Sequence, residues 1–281
     1  MRPQQWVKNL FLFAPLIFSG HLKNSHDRLL TIEGFFLFSI GASVVYIFND
    51  IRDIDQDRLH PEKSKRPLPA GALTVRTAAV FCFLLAVCAV IPGYLLGPGF
   101  GSALLLYMLI NTLYSLWLKH VVIIDVMTIS AGFVLRVIAG ALLIDVQASE
   151  WLFICTILLS LFLGFSKRRH ELTALESQAN EHRTVLEHYS PYFLDQMIGI
   201  VTASTVMSYA LYTISDETVK KFGTTRLIYT VPFVLYGIFR YLYLVHKKEE
   251  VGNPTRLALA DRPLLINMIL WIVVASIIIY R

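Results

Sequence analysis

Charged side chains are few in this chain. Only 16% of its 281 residues are Asp, Glu, Lys or Arg, 56% are hydrophobic, and mean hydropathy is +0.59. So little charge excludes an ordinary water-soluble globule and indicates a chain solvated mostly by lipid. Cysteine is scarce as well. Cys82, Cys88 and Cys155 all sit inside apolar runs, which excludes a disulfide framework and leaves them as small buried hydrophobes. No cleavable signal peptide is expected, because the first apolar run, Leu10 to Phe18, contains Pro15 and lacks a small-residue cleavage site after it. Low-complexity segments and soluble domains are also missing. The basic residues cluster between apolar runs and form no stripe, which excludes nucleic-acid binding.

What is present is a series of apolar runs. A helix crossing the roughly 30 Å hydrocarbon core needs about 20 apolar residues. Nine spans are expected on that criterion, at about 8–22, 29–49, 75–96, 101–118, 122–144, 150–166, 194–214, 225–246 and 262–280. The fold class is therefore all-α, a polytopic membrane protein with one integral membrane domain over residues 1–281. Seventeen of the Lys and Arg residues fall on one side of these spans. Six (Lys23, Arg28, Lys220, Lys221, Arg226 and Arg281) fall on the other, and Arg136 and Arg240 lie within spans. The positive-inside rule then puts the N-terminus in the cytoplasm and the C-terminus outside. Both long loops, about 50–74 and 167–193, are cytoplasmic by the same parity.

The first of those loops opens on Asn49-Asp50-Ile51-Arg52-Asp53-Ile54-Asp55-Gln56-Asp57. If the preceding helix continues, Asn49, Asp50, Asp53 and Asp57 share one face, while Asp55 points away from it. Packed carboxylates repel unless a cation neutralises them, and a hard divalent ion such as Mg2+ takes oxygen ligands of this kind while keeping room for phosphates. Asn49, Asp50, Asp53 and Asp57 are thus candidate metal ligands. The alternative is a solvated acidic loop or helix cap. Next comes His60-Pro61-Glu62-Lys63-Ser64-Lys65-Arg66-Pro67-Leu68-Pro69, where Lys65 and Arg66 suit phosphate oxygens that the metal leaves over.

The second loop is expected to begin Gly164-Phe165-Ser166-Lys167-Arg168-Arg169-His170-Glu171-Leu172. Lys167, Arg168 and Glu171 form a second candidate anion site, with a topological anchor as the alternative. Arg136 lies well inside a span, where a charged side chain is costly and a functional candidate by default. A structural ion pair is its alternative reading. Asp125 starts the same span. Tyr114 and Lys119, and Lys8 with Asn9, are expected at the depth of the acidic stretch. Arg240 lies about two turns from the end of its span, close enough to snorkel.

The pattern Asn-Asp-x-x-Asp-x-x-x-Asp at Asn49, Asp50, Asp53 and Asp57 resembles the first aspartate-rich motif of the intramembrane UbiA-type prenyltransferases. That resemblance implies nine transmembrane helices around a central cavity, with Mg2+-bound diphosphate at its cytoplasmic end. The family's second motif, Asp-x-x-x-Asp after the sixth helix, is replaced here by Lys167-Arg168-Arg169-His170-Glu171. In this the chain is similar to the decaprenyl-phosphate phosphoribosyltransferase branch. Arg2-Pro3-x-Gln5-Trp6-Val7-Lys8-Asn9, Gly132-Phe133-Val134-Leu135-Arg136 and Gly252-Asn253-Pro254 with Asp261-Arg262 are similar to it too.

The branch implies transfer of 5-phosphoribose from phosphoribosyl pyrophosphate (PRPP) to a polyprenyl phosphate. Pyrophosphate is released, the reaction depends on Mg2+, and its setting is cell-envelope glycolipid synthesis at a bacterial inner membrane. Asp50, Asp53, Asp57 and Lys8 would be the catalytic residues. Asn49, Lys65, Arg66, Tyr114, Lys119, Arg136, Lys167, Arg168, Glu171 and Arg240 would bind substrate. A homo-oligomer is compatible with the chain. The rival is prenyl transfer from a prenyl diphosphate to an aromatic or glycerol-phosphate acceptor. A third reading, a transporter, would place charge along the whole depth of the bundle.

Overall fold

In the computed structural model, residues 2–59, 63–176, 184–247 and 260–281 are described. Every regular element among them is helical. Among the described residues, eight helices are long and apolar enough to cross a membrane. They are α1 (Ser25–Arg52), α2 (Val75–Leu96), α3 (Pro98–Leu116), α4 (Ile124–Leu143), α5 (Glu150–Glu176), α6 (Pro191–Ile214), α7 (Val231–Lys247), which reaches membrane length only with the 3-10 turn Arg226–Thr230 before it, and α8 (Arg262–Tyr280). Their starts follow from local chemistry. The side chains of Asn24, Thr74, Ser190 and Asp261 each accept a backbone N–H of the first turn, and Pro98 and Pro191 open helices where a missing N–H costs nothing.

The chain forms two compact units, one of Met1–Lys119 with Leu135–Gln147, the other of His120–Val134 with Ala148–Arg281. The first holds α1, α2, α3 and the C-terminal part of α4 around Leu12, Phe38, Phe100, Leu104 and Leu135. The second holds the start of α4 with α5 to α8 around Val126, Phe162, Leu194, Tyr241 and Leu264.

The first expected span takes an unexpected form. Residues Pro3–Leu12 wind as a 3-10 helix, followed by a short α-helix at Phe13–Phe18 and a turn at Gly20, whose φ is +87°. Pro15 has no N–H to bond the carbonyl of Phe11, so an α-type bond cannot extend back at that point. This segment still runs antiparallel to α1. Arg2 meets Asp50, Trp6 meets Ser43, Asn9 meets Ser39 and Phe13 meets Phe35. Eleven residues on one side thus match fifteen on the other. At about 2.0 Å per 3-10 residue and about 1.5 Å per α residue, both advance about 22 Å. The tighter winding lets a short stretch keep pace with a long helix. Close approach is allowed by Gly140 of α4, where a Cβ would collide with the carbonyl oxygen of Leu12.

Two further boundaries differ from expectation. α1 stops at Arg52, but helical bonding resumes at once: the N–H of Asp53 bonds Asn49 O at 2.9 Å, that of Asp57 bonds Asp53 O at 2.8 Å, and Ile54–Leu59 is helical. The second difference is in α5, which was expected to end near 166 and instead continues to Glu176. The basic run therefore lies on the last turns of a helix, supported by Glu171 contacts to Lys167 (i, i+4) and Arg168 (i, i+3). His60, Pro61, Glu62, His182, Arg183 and the Gly252-Asn253-Pro254 string lie outside the described residues.

Candidate active site

Asp50, Asp53 and Asp57 lie along the α1 junction, and cations from separate segments meet them. Arg2, from the N-terminal segment, pairs with Asp50. Arg66 Nη1 reaches both Asp50 Oδ1 at 3.2 Å and Asp57 Oδ2 at 2.6 Å. Lys119 Nζ is 3.2 Å from Asp53 Oδ1. Asp57 is buried, whereas the Asp55 side chain is 89% exposed and meets only Arg58 among its described ion pairs. Asp50 and Asp57 thus share Arg66, Asp53 pairs separately with Lys119, and Asp55 turns outward.

Each cation has a reason to be where it is. Arg66 follows the short 3-10 turn Lys63–Lys65, in a loop held by Leu68, which packs against Ile47 and Ala78. The loop closes through the N–H of Ala70 to Arg66 O, and through Gly71, whose φ of +75° suits glycine. Arg52 donates to the carbonyls of Ser115 and Leu116 at the end of α3, and the Ser115 hydroxyl donates to Asn49 Oδ1. These bonds satisfy helix-terminal acceptors and tie the last turn of α3 to α1. Lys119 follows directly. Tyr114 stands on the same turn as Ser115, Lys65 is exposed beside Arg66, and Lys8 precedes the buried Asn9.

The donor set fits a hard cation, with a restriction. All candidate ligands are oxygen donors, and two carboxylates converge on the single nitrogen of Arg66. Among the described residues, however, no three acidic, His or Cys side chains lie close enough together to hold a metal ion. The carboxylates are not a closed cage. They suit Mg2+, which is commonly held by one or two carboxylates and completed by water and substrate phosphates. Asn49, expected as a ligand, has its Oδ1 engaged by Ser115.

The second unit carries a different cluster. Arg168 is fully buried, donating from Nε to Asp125 Oδ2 at 2.6 Å and from Nη1 to Glu171 Oε2 at 2.5 Å. Tyr189 donates to the other Asp125 oxygen at 2.7 Å and accepts the N–H of Ile123 at 2.7 Å. Ile123 has φ +69°, a left-handed conformation that a β-branched residue adopts only under constraint. Burial first, and then the bond to Asp125, push the Tyr189 phenol well above the usual tyrosine range, so it stays protonated and keeps donating. Arg169 pairs with Asp195 at 2.9 Å, and Lys167, about one-third exposed, is 3.6 Å from Glu171.

Several expectations change here. Arg168, expected to take substrate phosphate, is committed to two protein carboxylates. Glu171 serves the same network. Arg240, expected at the site, forms a two-point pair with Asp261 at 3.1 and 2.9 Å, and Asp261 also caps α8. Arg136 is buried in the first unit, held by Asn9 and Tyr107. Reasoning from sequence missed Arg2, Arg52, Ser115, Tyr107 and Tyr189 as partners. Only Arg2 carried a signal, as the opening residue of the Arg-Pro-x-Gln-Trp string.

The model of the UbiA prenyltransferase family matches residues 10–269. Decaprenyl-phosphate phosphoribosyltransferase of Corynebacterium glutamicum is 31% identical over 97% of this chain and 83% of its own length. The Mycolicibacterium smegmatis protein of the same name is 31% identical over 97% and 88%. Among solved structures, a UbiA homolog from Archaeoglobus fulgidus bound to GPP and Mg2+ superposes with a TM-score of 0.74 over 100% of this chain and 98% of that one. Its sequence identity is 20%, so that likeness speaks for the fold.

The buried network makes a prediction. Removing one partner of a buried ion pair costs roughly 3–5 kcal/mol, because the other charges are left uncompensated. Arg168→Ala is therefore expected to lower the melting temperature in detergent sharply and to reduce monodisperse protein on size exclusion. A wild-type melting temperature in that variant would contradict the assignment.

Proposed function

Given that the chain belongs to the UbiA prenyltransferase family and is a membrane-spanning transferase, we propose that it moves 5-phosphoribose from PRPP to a polyprenyl phosphate. The observation that carries this reading is the state of the second cluster. Asp125 and Glu171 are both held by the buried Arg168 guanidinium, so these two carboxylates of the second cluster are already neutralised within the protein. One metal-binding face accommodates a single diphosphate in this reaction as in its rival, and the run Lys167-Arg168-Arg169-His170-Glu171 in place of a second aspartate motif favours the phosphoribosyl branch. The names of the relatives support the same choice.

In this reading Asp50, Asp53 and Asp57 hold Mg2+, which when bound neutralises charge on the leaving pyrophosphate. With a metal held by these carboxylates, Arg2, Arg66 and Lys119 would be available to phosphate oxygens, with Lys65 as a further donor. The polyprenyl phosphate is the nucleophile. An oxygen of that phosphate attacks the ribose anomeric carbon, forming a C–O bond while the bond from that carbon to pyrophosphate breaks. The attacking oxygen is already anionic, so no strong general base is required. Rate enhancement comes from positioning and charge neutralisation.

The deciding experiment incubates purified protein in detergent with Mg2+, polyprenyl phosphate and PRPP labelled in the ribose. Label is expected in the organic phase, to be lost with EDTA and to fall at least about 100-fold in Asp50→Ala, Asp53→Ala and Asp57→Ala, the scale of removing a dominant electrostatic group. Asp55→Ala should retain most activity. No extraction of label, with transfer instead from a labelled prenyl diphosphate to an aromatic acceptor, would overturn the proposal in favour of its rival. The proposed orientation has the N-terminus in the cytoplasm and the C-terminus outside. A reporter fused after Arg281 should read as external, and a cytoplasmic reading would refute the orientation.

A further inference from the structure

Arg136 stands twelve residues into α4, a helix long and apolar enough to cross a membrane, and it is 4% exposed. A guanidinium there is expensive, and an apolar residue of similar size would be cheaper unless the charge has a task. Its contacts indicate the task. Nε donates to Asn9 Oδ1 at 2.8 Å and Nη2 donates to the Tyr107 hydroxyl at 2.9 Å. The cationic carbon lies 4.6 Å from the Tyr107 ring centroid and 5.5 Å from that of Phe38.

Asn9 is the other half of the device. It is fully buried, and its Nδ2 donates to Ser39 Oγ at 2.9 Å while its oxygen accepts from Arg136. Both ends of the amide are used, so the amide has one favoured orientation. Three residues earlier Trp6 Nε1 donates to Ser43 Oγ at 3.3 Å, and Ser39 and Ser43 are one turn apart on α1. In a 3-10 helix residues three apart eclipse one another. Trp6 and Asn9 therefore form one row, pinned to α1, Lys8 and Gln5 fall along the neighbouring row, and the Gln5 N–H bonds Arg2 O at 2.9 Å, tying the N-cap residue Arg2 to it. Pinning the first row fixes the rotation of the segment about its own axis. That rotation decides whether Arg2 arrives at Asp50. A ten-residue 3-10 run has poorer internal bonds than an α-helix and needs such outside support.

We infer that Arg136 is a positioning residue, which acts through Asn9 to set the rotation of the N-terminal 3-10 segment and so presents Arg2 to the diphosphate at the Asp50–Asp57 face. The inference rests on the reading of that face as a diphosphate site, but not on which substrate owns the diphosphate. Arg136 is thereby reassigned from substrate contact to control of a residue that makes it.

The test is binding of pyrophosphate with Mg2+ to the full chain in detergent, measured by calorimetry and normalised to folded protein. Arg2→Ala removes one charge-assisted contact and should weaken binding by roughly tenfold or more. Arg136→Met should weaken it by a similar factor, and the double variant should be no worse than either single, since both changes remove the same contact. Arg136→Lys keeps a donor for Asn9 and should bind closer to wild type. Asn9→Ala cuts the link while leaving the guanidinium on Tyr107, and should match Arg136→Met. It also serves if Arg136→Met does not fold. Wild-type binding in Asn9→Ala, or full additivity of Arg136→Met with Arg2→Ala, would overturn the inference and leave the diphosphate reading standing. Failure of the wild-type protein to bind Mg2+ and pyrophosphate would overturn both.

Discussion

Three carboxylates at the end of a membrane helix must be neutralised, and much of the first unit is arranged around that requirement. Arg2, Arg66 and Lys119 come from an N-terminal segment, a loop and the turn after α3, and each ends on an aspartate of the 50–57 face. Holding those segments in place accounts for features that otherwise look unrelated. They include the Leu68 anchor under the Arg66 loop, the Arg52 and Ser115 bonds at the end of α3, and the long 3-10 helix that brings Arg2 alongside α1. The pairs are partly exposed. In the proposed function a cation and a phosphate-bearing ligand would replace them.

The second unit solves the same electrostatic problem differently. Arg168 and Asp125 are enclosed with Glu171 at their edge, and Tyr189 satisfies both the remaining Asp125 oxygen and the backbone of the strained Ile123. Such a network is stable when complete and costly when broken. It behaves as structure, in contrast to the exchangeable pairs of the first unit. Two clusters of similar composition thus have different chemistry, and burial separates them.

Local patterns in the sequence carried a good deal of this. The spacing of Asn49, Asp50, Asp53 and Asp57, the exposure of Asp55 and eight apolar spans all follow from helical periodicity and hydropathy, as does family membership from the motif. What stayed hidden depends on partners distant in sequence. Arg168 reads as a loop cation until Asp125, 43 residues earlier, is brought against it. Arg136 and Asn9 are 127 residues apart, and no periodicity links them. The winding of Pro3–Leu12 was equally invisible, because hydropathy reports length and polarity and is silent on rise per residue.

The central claim is that the chain's own cations hold the 50–57 carboxylates until a metal and a diphosphate replace them together. Titration of purified protein with Mn2+, following the free ion by electron paramagnetic resonance with and without PRPP, tests it directly. Metal should bind weakly alone and tighten by roughly tenfold or more with PRPP, within the usual range of coupling between sites. Tight Mn2+ binding that PRPP leaves unchanged would contradict the account, because it would mean a metal site already complete in the protein.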